Sequence, residues 1–351
     1  MFFRLFPCPT GVGLLRTGNP DRKSPVLVTC NFYLTVRRLL RKLGDLDTWV
    51  LIADSKGVNV WCAAGAEEFS TRSVVSVVKT SAVADLVDHR VLIVPPLGAA
   101  GIQAKEVKKQ TGWSVHWGPA RLDDIPAFLR GGQRRTEKMK RVTYTWRERL
   151  DTGIGALFPF FFIGGIGFLV FARGLLSNYL VIGGAAFFFF MLTCPWLPGK
   201  RGLAKVALLE IILGIALIVS EVIQVPGNYS IRADIIIAMV MLIIYGSELG
   251  GLAPNMPSDL DPFLARMGIC GIGNTAFAGT TRTELLGGLR MLAYHRENCI
   301  GCRNCMDVCP QGCWSLDAEN CAILVQRQKC TACRACIVQC EGGAIRAELR
   351  Q

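Results

Sequence analysis

The sequence predicts a multidomain chain in three parts: an α/β domain with a parallel sheet, a four-helix transmembrane region, and a small cysteine-rich α+β domain. Three observations carry this reading. Apolar strand-like runs alternate with helical spacing from residue 25 to 130, long apolar segments fill 152–254, and ten of the 15 cysteines fall from Cys299 to Cys340. The boundaries expected are 1–135 for the first domain, 136–151 for a basic linker, 152–254 for the membrane region, 255–290 for a second linker, and 291–351 for the last domain.

In the first domain "PVLVTCN" reads as a strand and "FYLTVRRLLRKL" carries apolar residues at helical spacing. "TWVLIAD" is a second strand, followed by "GVNVWCAAG" on a short apolar turn. "VLIVPPL" is a strand, "IQAKEVKKQTG" a helix closed by Gly112, and "WSVHWGP" another strand. "LDDIPAFLR" is a short helix with acidic residues in its first turn, where the helix dipole favours them. Such alternation argues for a parallel sheet covered on both faces, whose ligands sit beyond the carboxyl ends of its strands. Cys62 lies at such an end.

The apolar segments expected to span are Thr152–Ala172, Gly174–Gly199, Val206–Gln224 and Ile235 to about Pro254; about 20 residues at 1.5 Å each cross a bilayer core. A fifth in "FLARMGICGIGNTAFAG" is poorly apolar and is rejected. The net charge of +12 is concentrated in "RGGQRRTEKMKRVTYTWRERL", just before the first segment. That placement suits a cytoplasmic membrane flank and not a nucleic-acid surface, so no nucleic-acid partner is expected. Lys200, Arg201 and Lys205 in the second loop, against Arg173 and Arg232 in the first and third, put both ends of the region on the cytoplasmic side. No secretory signal is evident at the N-terminus. The expected location is a multi-pass protein of the inner (cytoplasmic) membrane with both flanking domains in the cytoplasm. Glu210 and Glu221, eleven residues apart, fall near one face of the third segment, as packing groups or a pathway.

"CIGCRNCMDVCP" and "CTACRACIVQC" are two copies of C-x2-C-x2-C-x3-C. That spacing suits [4Fe–4S] clusters in a ferredoxin, where the fourth cysteine of each run serves the other cluster. Cys299, Cys302, Cys305 and Cys340 are therefore assigned to one cluster, and Cys309, Cys330, Cys333 and Cys336 to a second. Zinc modules pair C-x2-C units at wider separation. Cys313 and Cys321 are spare thiols, either packed beside a cluster or available to a soft metal.

"SPVLVTCNFYLTVRRLLRKL", "TWVLIADSKGVNVWCAAG" and "LIVPPLGAAGIQAKEVKKQTGWSVHWGPARLDDIPAFL" resemble the corrinoid-binding domain of the mercury-methylation family HgcA, which is related to the corrinoid iron–sulfur proteins. "PWLPGK" and "FAGTTRTEL" resemble the rest of that family, and the cysteine-rich tail resembles its ferredoxin partner, HgcB. The resemblance implies a Rossmann-like cobalamin-binding fold in which "NVWCAAG" caps a base-off cobalamin. It makes Cys62 the lower axial cobalt ligand and catalytic residue, with Asn59, Val60, Trp61, Ala63, Ala64 and Gly65 framing the corrin. No D-x-H-x-x-G motif is present, and His89, His116 and His295 stand in no comparable context.

The function implied is a corrinoid-dependent methyltransferase of an anaerobe. A methyl donor of the methyl-tetrahydrofolate pathway charges the cobalt, and Hg(II) or another methyl acceptor takes the group. An electron donor resets the metal through the ferredoxin part. The sequence departs from the family at Ala66, where the family has Lys, with Glu67 and Glu68 following, and it lacks the family ferredoxin's additional cysteines. Those departures keep two alternatives open: a related methyltransferase with another acceptor, and a non-catalytic membrane electron carrier.

Overall fold

A computed structural model describes residues 7–142, 145–198, 202–222, 228–248, 290–326, 330 and 333–349. The chain divides into two compact units, one of Met1–Leu5 with Tyr144–Gly273 and one of Phe6–Thr143 with Asn274–Gln351. The α/β and cysteine-rich regions, expected as separate domains, thus fold as a single unit. The reason is shared apolar burial: Val308 and Ala335 belong to the same core cluster as Val28, Leu51 and Val94 of the sheet.

That sheet has five strands, β1 Gly13–Thr17, β2 Val26–Cys30, β3 Thr48–Ala53, β4 Val91–Val94 and β5 Ser114–Trp117. Their order is β1-β3-β2-β4-β5, with β1 antiparallel on the edge and the other four parallel. The strand period of two sends alternate residues to opposite faces. Val26, Val28, Leu51, Ala53, Leu92 and Val94 meet one helix layer; Leu27, Val50, Ile52 and Ile93 meet the other. The first layer includes α3 Thr71–Thr80 through Val74, Val75, Val77 and Val78, and α5 Ala104–Thr111 through Val107. The second includes α1 Tyr33–Leu43 and α6 Ile125–Arg130. Gly112, at φ 77°, closes α5 in the left-handed conformation that glycine adopts most cheaply. Between these stand α2 Val60–Gly65 and α4 Val83–Leu86. The parallel core matches the expectation strand for strand. Edge strand β1 and helix α3 were not foreseen, the one because "GLLRT" is short and half polar, the other because "TRSVVSVVKT" is β-branched.

The expected linker 136–151 is largely structured. Residues Glu137–Lys140 form α7, and the first helix of the other unit already begins at Trp146, with a Thr145–Glu148 capping box. Part of the basic charge of this linker and of the preceding Arg135 is spent within the sheet unit. Arg135 Nη1 donates to the Asp307 carbonyl at 2.9 Å, Lys140 pairs with the Asp307 carboxylate at 3.5 Å, and Arg141 donates to the Cys309 carbonyl at 3.0 Å. The expected linker 255–290 and the rejected fifth segment lie outside the described residues, apart from Arg290, which opens a strand.

The other unit contains four long helices, α8 Trp146–Phe171, α9 Leu176–Thr193, α10 Gly202–Val222 and α11 Asn228–Glu248. Tyr179, Phe187, Phe190, Met191, Met241 and Tyr245 fill its core. Polar groups inside it are spent on the backbone: Tyr245 donates to Gly183 O at 3.0 Å and Lys205 to Cys194 O at 2.6 Å. Both carboxylate oxygens of Glu210 are buried without a hydrogen-bond partner. Phe162, Ile163, Phe171, Val181, Ile211, Ile215 and Ile218 face outward. Among the described residues, one helical stretch, Arg173–Thr193, is by length and composition able to cross a membrane, and Phe161–Phe171 is a shorter apolar stretch.

Candidate functional site

The parallel strands deliver their following loops to one end of the sheet, and the candidate site is built there from three of them. After β2 comes Asn31, buried at 3% exposure. Its Oδ1 accepts the backbone N–H of Ser55 at 2.9 Å and of Gly57 at 3.0 Å, while its Nδ2 donates to Asp54 at 3.2 Å. The loop after β3 is thereby tied to the neighbouring strand. Gly57 lies at φ 70°, and a side chain there would stand 2.5 Å from Pro9 N, so only glycine fits.

This loop leads into α2, which carries the "VWCAAG" residues. Asn59 caps it, its Oδ1 accepting from Cys62 N at 3.0 Å. The same carboxamide donates through Nδ2 to Cys62 Sγ, also at 3.0 Å. One side chain therefore fixes both the start of the helix and the position of the sulfur. Cys62, Trp61 and Gly65 are half-exposed, whereas Ala63 and Ala64 are buried and hold the helix to the sheet. Of the seven residues expected to frame a cofactor, those two face the core; Val60, half-buried, also packs against it.

The third loop follows β4, with a 3-10 turn at Pro96–Gly98. It packs against α2, and a side chain on Gly101 would meet Ala64 O at 2.9 Å. His89, His116 and His295 are occupied elsewhere: His89 Nε2 lies 3.0 Å from Ser24 O, His116 Nε2 3.1 Å from Gln133 O, and His295 Nδ1 3.2 Å from Glu297.

The cysteine-rich region has two short two-stranded sheets, β6 Arg290–Tyr294 with β9 Ile345–Leu349 and β7 Trp314–Leu316 with β8 Ala322–Leu324. Its two runs repeat one backbone device. Arg303 and Arg334 both adopt left-handed φ, 65° and 66°, and each precedes a short helix, α12 Asn304–Val308 and α13 Ala335–Val338. Cys299, Cys302, Cys305 and Cys340 line one hollow with Gly301, Leu316 and Ile345. Cys340 thus arrives from the second run, as the interleaved assignment requires. Burial pushes the Cys305 thiol up to about 12, and nearby Cys302, Cys299 and Cys340 add to it. Burial likewise raises Cys336, together with nearby Cys333, Cys330 and Cys309, the other expected quartet.

Four thiols so close do not all ionise without a cationic centre among them, and an iron–sulfur core supplies that charge. The donor sets therefore fit [4Fe–4S] clusters. Among the described residues no group of three or more such side chains converges tightly enough for a single metal ion. Cys313 stands beside the second quartet, hydrogen-bonded to Cys309 and Cys330, and Cys321 beside Cys299.

Residues 6–129 match the family model of the CO dehydrogenase/acetyl-CoA synthase delta subunit, and residues 291–341 match that of a 4Fe-4S dicluster domain. Three similar proteins carry the name acetyl-CoA decarbonylase/synthase complex subunit gamma. That of Methanopyrus kandleri is 38% identical over 119 residues, covering 33% of this chain and 25% of its own length. That of Methanocaldococcus jannaschii is 28% identical over 145 residues, covering 40% and 28%. That of Methanothermobacter thermautotrophicus is 32% identical over 120 residues, covering 33% and 26%. The chain thus spans about a quarter of the length of these relatives.

Two outcomes are expected from this geometry. Asn59→Ala removes the cap of α2, worth about 1 kcal/mol; hydrogen exchange of the 60–65 amides should accelerate about fivefold, and unchanged exchange would show that the cap holds nothing. Cys340→Ser should remove the cluster of the Cys299 set while sparing that of the Cys330 set. Iron content and Mössbauer spectra of the purified variant check this, and loss of the other cluster would reverse the assignment.

Proposed function

We propose that this chain is a membrane-anchored corrinoid methyltransferase that passes a methyl group from cobalt to Hg(II), with its own two-cluster ferredoxin region supplying electrons to the cobalt. The observation that carries the reading is the half-exposed Cys62 sulfur held by Asn59 at the carboxyl end of a parallel sheet. The matched family of residues 6–129, the names of the relatives and the resemblance of "NVWCAAG" to the mercury-methylation family support it.

The residues present fit a base-off corrinoid: a half-exposed thiol donor in Cys62, half-exposed Trp61 and Gly65 on the same short helix, and three histidines engaged elsewhere. When bound, such a group supplies a cobalt–carbon bond from which an electrophile such as Hg(II) takes the methyl as a carbanion equivalent. Cys62 would hold the cobalt through its sulfur and, as a strong anionic donor, weaken that bond. Asn59 would orient the sulfur through its N–H. Asn31 and Gly57 would keep the loop beneath it from shifting, and Ala63, Ala64 and Gly101 would set its height above the sheet.

The membrane anchor rests on the outward apolar residues of the helical unit, which water would not tolerate in such number. The corrinoid and ferredoxin parts are assigned to the cytoplasmic side on the loop charges. A second reading, the same chemistry with another acceptor, is favoured by Glu67 and Glu68, which are exposed just beyond α2.

A single-turnover assay tests this. Anaerobically purified protein loaded with methylcobalamin should convert a thiol-bound Hg(II) salt to methylmercury above a protein-free control. Cys62→Ala should abolish turnover, a loss of at least about a thousandfold, and leave the cluster spectrum unchanged. Bound corrinoid without product would favour the other acceptor; absence of bound corrinoid would leave an electron carrier.

A further inference from the structure

Besides the apolar burial of Val308 and Ala335, the two parts of the sheet unit meet through one buried polar side chain. Gln339, 4% exposed, donates through Nε2 to the carbonyls of Ala99 at 2.8 Å and Ile102 at 2.6 Å. Its Oε1 accepts the Ala104 N–H at 3.3 Å. All three partners lie in or just after the loop that follows β4, the same loop that packs against α2 and so underlies Cys62. The other face of its Pro96–Gly98 turn meets α12 of the cysteine-rich region. Around this clamp Asp307 pairs with Arg135 at 3.3 Å, and Val142 N donates to Pro310 O at 3.1 Å.

The quartets stand differently toward this contact. Among the described residues, Cys333 is the expected cluster ligand that packs against the sheet core, flanked there by Val308 and Ala335. Each quartet has one exposed cysteine, Cys302 and Cys330, but among the described residues no member of the Cys299 set packs against the sheet core.

We infer that Gln339 holds the cysteine-rich region in a permanent dock on the β4 loop, and that the cluster of Cys309, Cys330, Cys333 and Cys336 is the one from which electrons leave for the cobalt. The second half rests on the corrinoid reading above. A low-potential one-electron donor, such as a reduced ferredoxin, fills the Cys299 set, the one farther from the sheet core. One electron then passes to the Cys330 set and crosses the β4 loop beneath α2. The cluster is oxidised as the cobalt is reduced, and two such transfers restore the metal after each loss of a methyl carbanion equivalent. Gln339 is a positioning residue, since its carboxamide is spent on three backbone groups of the β4 loop and the start of α5.

The test uses the full chain with reconstituted clusters. Gln339→Met keeps the volume and removes all three hydrogen bonds. Hydrogen exchange of the 99–104 and 304–308 segments should rise about tenfold, the order expected for losing buried hydrogen bonds, with iron content unchanged. In stopped flow with corrinoid bound, cluster bleaching by dithionite should keep its rate while cobalt reduction slows about tenfold. Should Gln339→Met lose iron, Arg135→Met loosens the same contact from outside the cluster loops, and the same readouts apply. Unchanged exchange in 99–104 would overturn the dock. Faster exchange with cobalt reduced at the original rate would overturn the exit assignment. A chain that binds no corrinoid would overturn the corrinoid reading and with it the exit assignment, while the exchange measurement would still decide the dock.

Discussion

The buried carboxamide of Asn31 is the fixed point on which the site depends. A parallel sheet presents several loops at one end, but loops carry their own backbone N–H groups, and these need partners wherever they are buried. Asn31 supplies them across strands, taking the N–H of Ser55 and Gly57 from the loop after β3. The left-handed Gly57 then turns the chain against Pro9 and launches it into α2. Only on that footing can Asn59 set the sulfur of Cys62 by a cap. The reach of the sulfur is thus determined two links away, by a side chain that touches neither the helix nor the thiol.

The second buried carboxamide, Gln339, repeats this logic at the β4 loop. Its two N–H donors and one acceptor meet three backbone groups of one short segment. An amide suits the task because it can donate and accept at once without bringing a charge into the core. Arg135, itself buried against Asp307, and the more exposed Lys140 and Arg141 complete the contact. A stretch that reads as a membrane flank in composition is therefore partly an internal clasp.

The cysteine-rich region shows how a repeat is folded twice and closed once. Both runs use a left-handed Arg before a short helix, yet Cys340 crosses to the hollow of the first run. Asn304, donating to Glu341 at 3.0 Å, ties the runs at that crossing. The spare thiols lie beside cysteines of the expected quartets, Cys313 beside Cys309 and Cys330 and Cys321 beside Cys299.

Much of this was legible in the amino-acid sequence because it depends on periodicity and spacing. Alternating runs such as "PVLVTC" and "TWVLIA" can bury both faces only in a covered parallel sheet, and C-x2-C-x2-C-x3-C twice over suits little but paired clusters. The placement of "NVWCAAG" after a strand put Cys62 at the carboxyl end of the sheet. What the tertiary structure alone decided concerns residues whose role is set by distant partners. Asn31 and Gln339 carry no local signal, since a carboxamide is as common on a surface as in a core. The division of α2 into an inward Ala63 and Ala64 and an outward Trp61, Cys62 and Gly65 follows from the loop it rests on. That the cysteine-rich region, which begins at Arg290, joins a sheet unit whose first segment ends at Thr143 depends on packing between surfaces that no local pattern encodes.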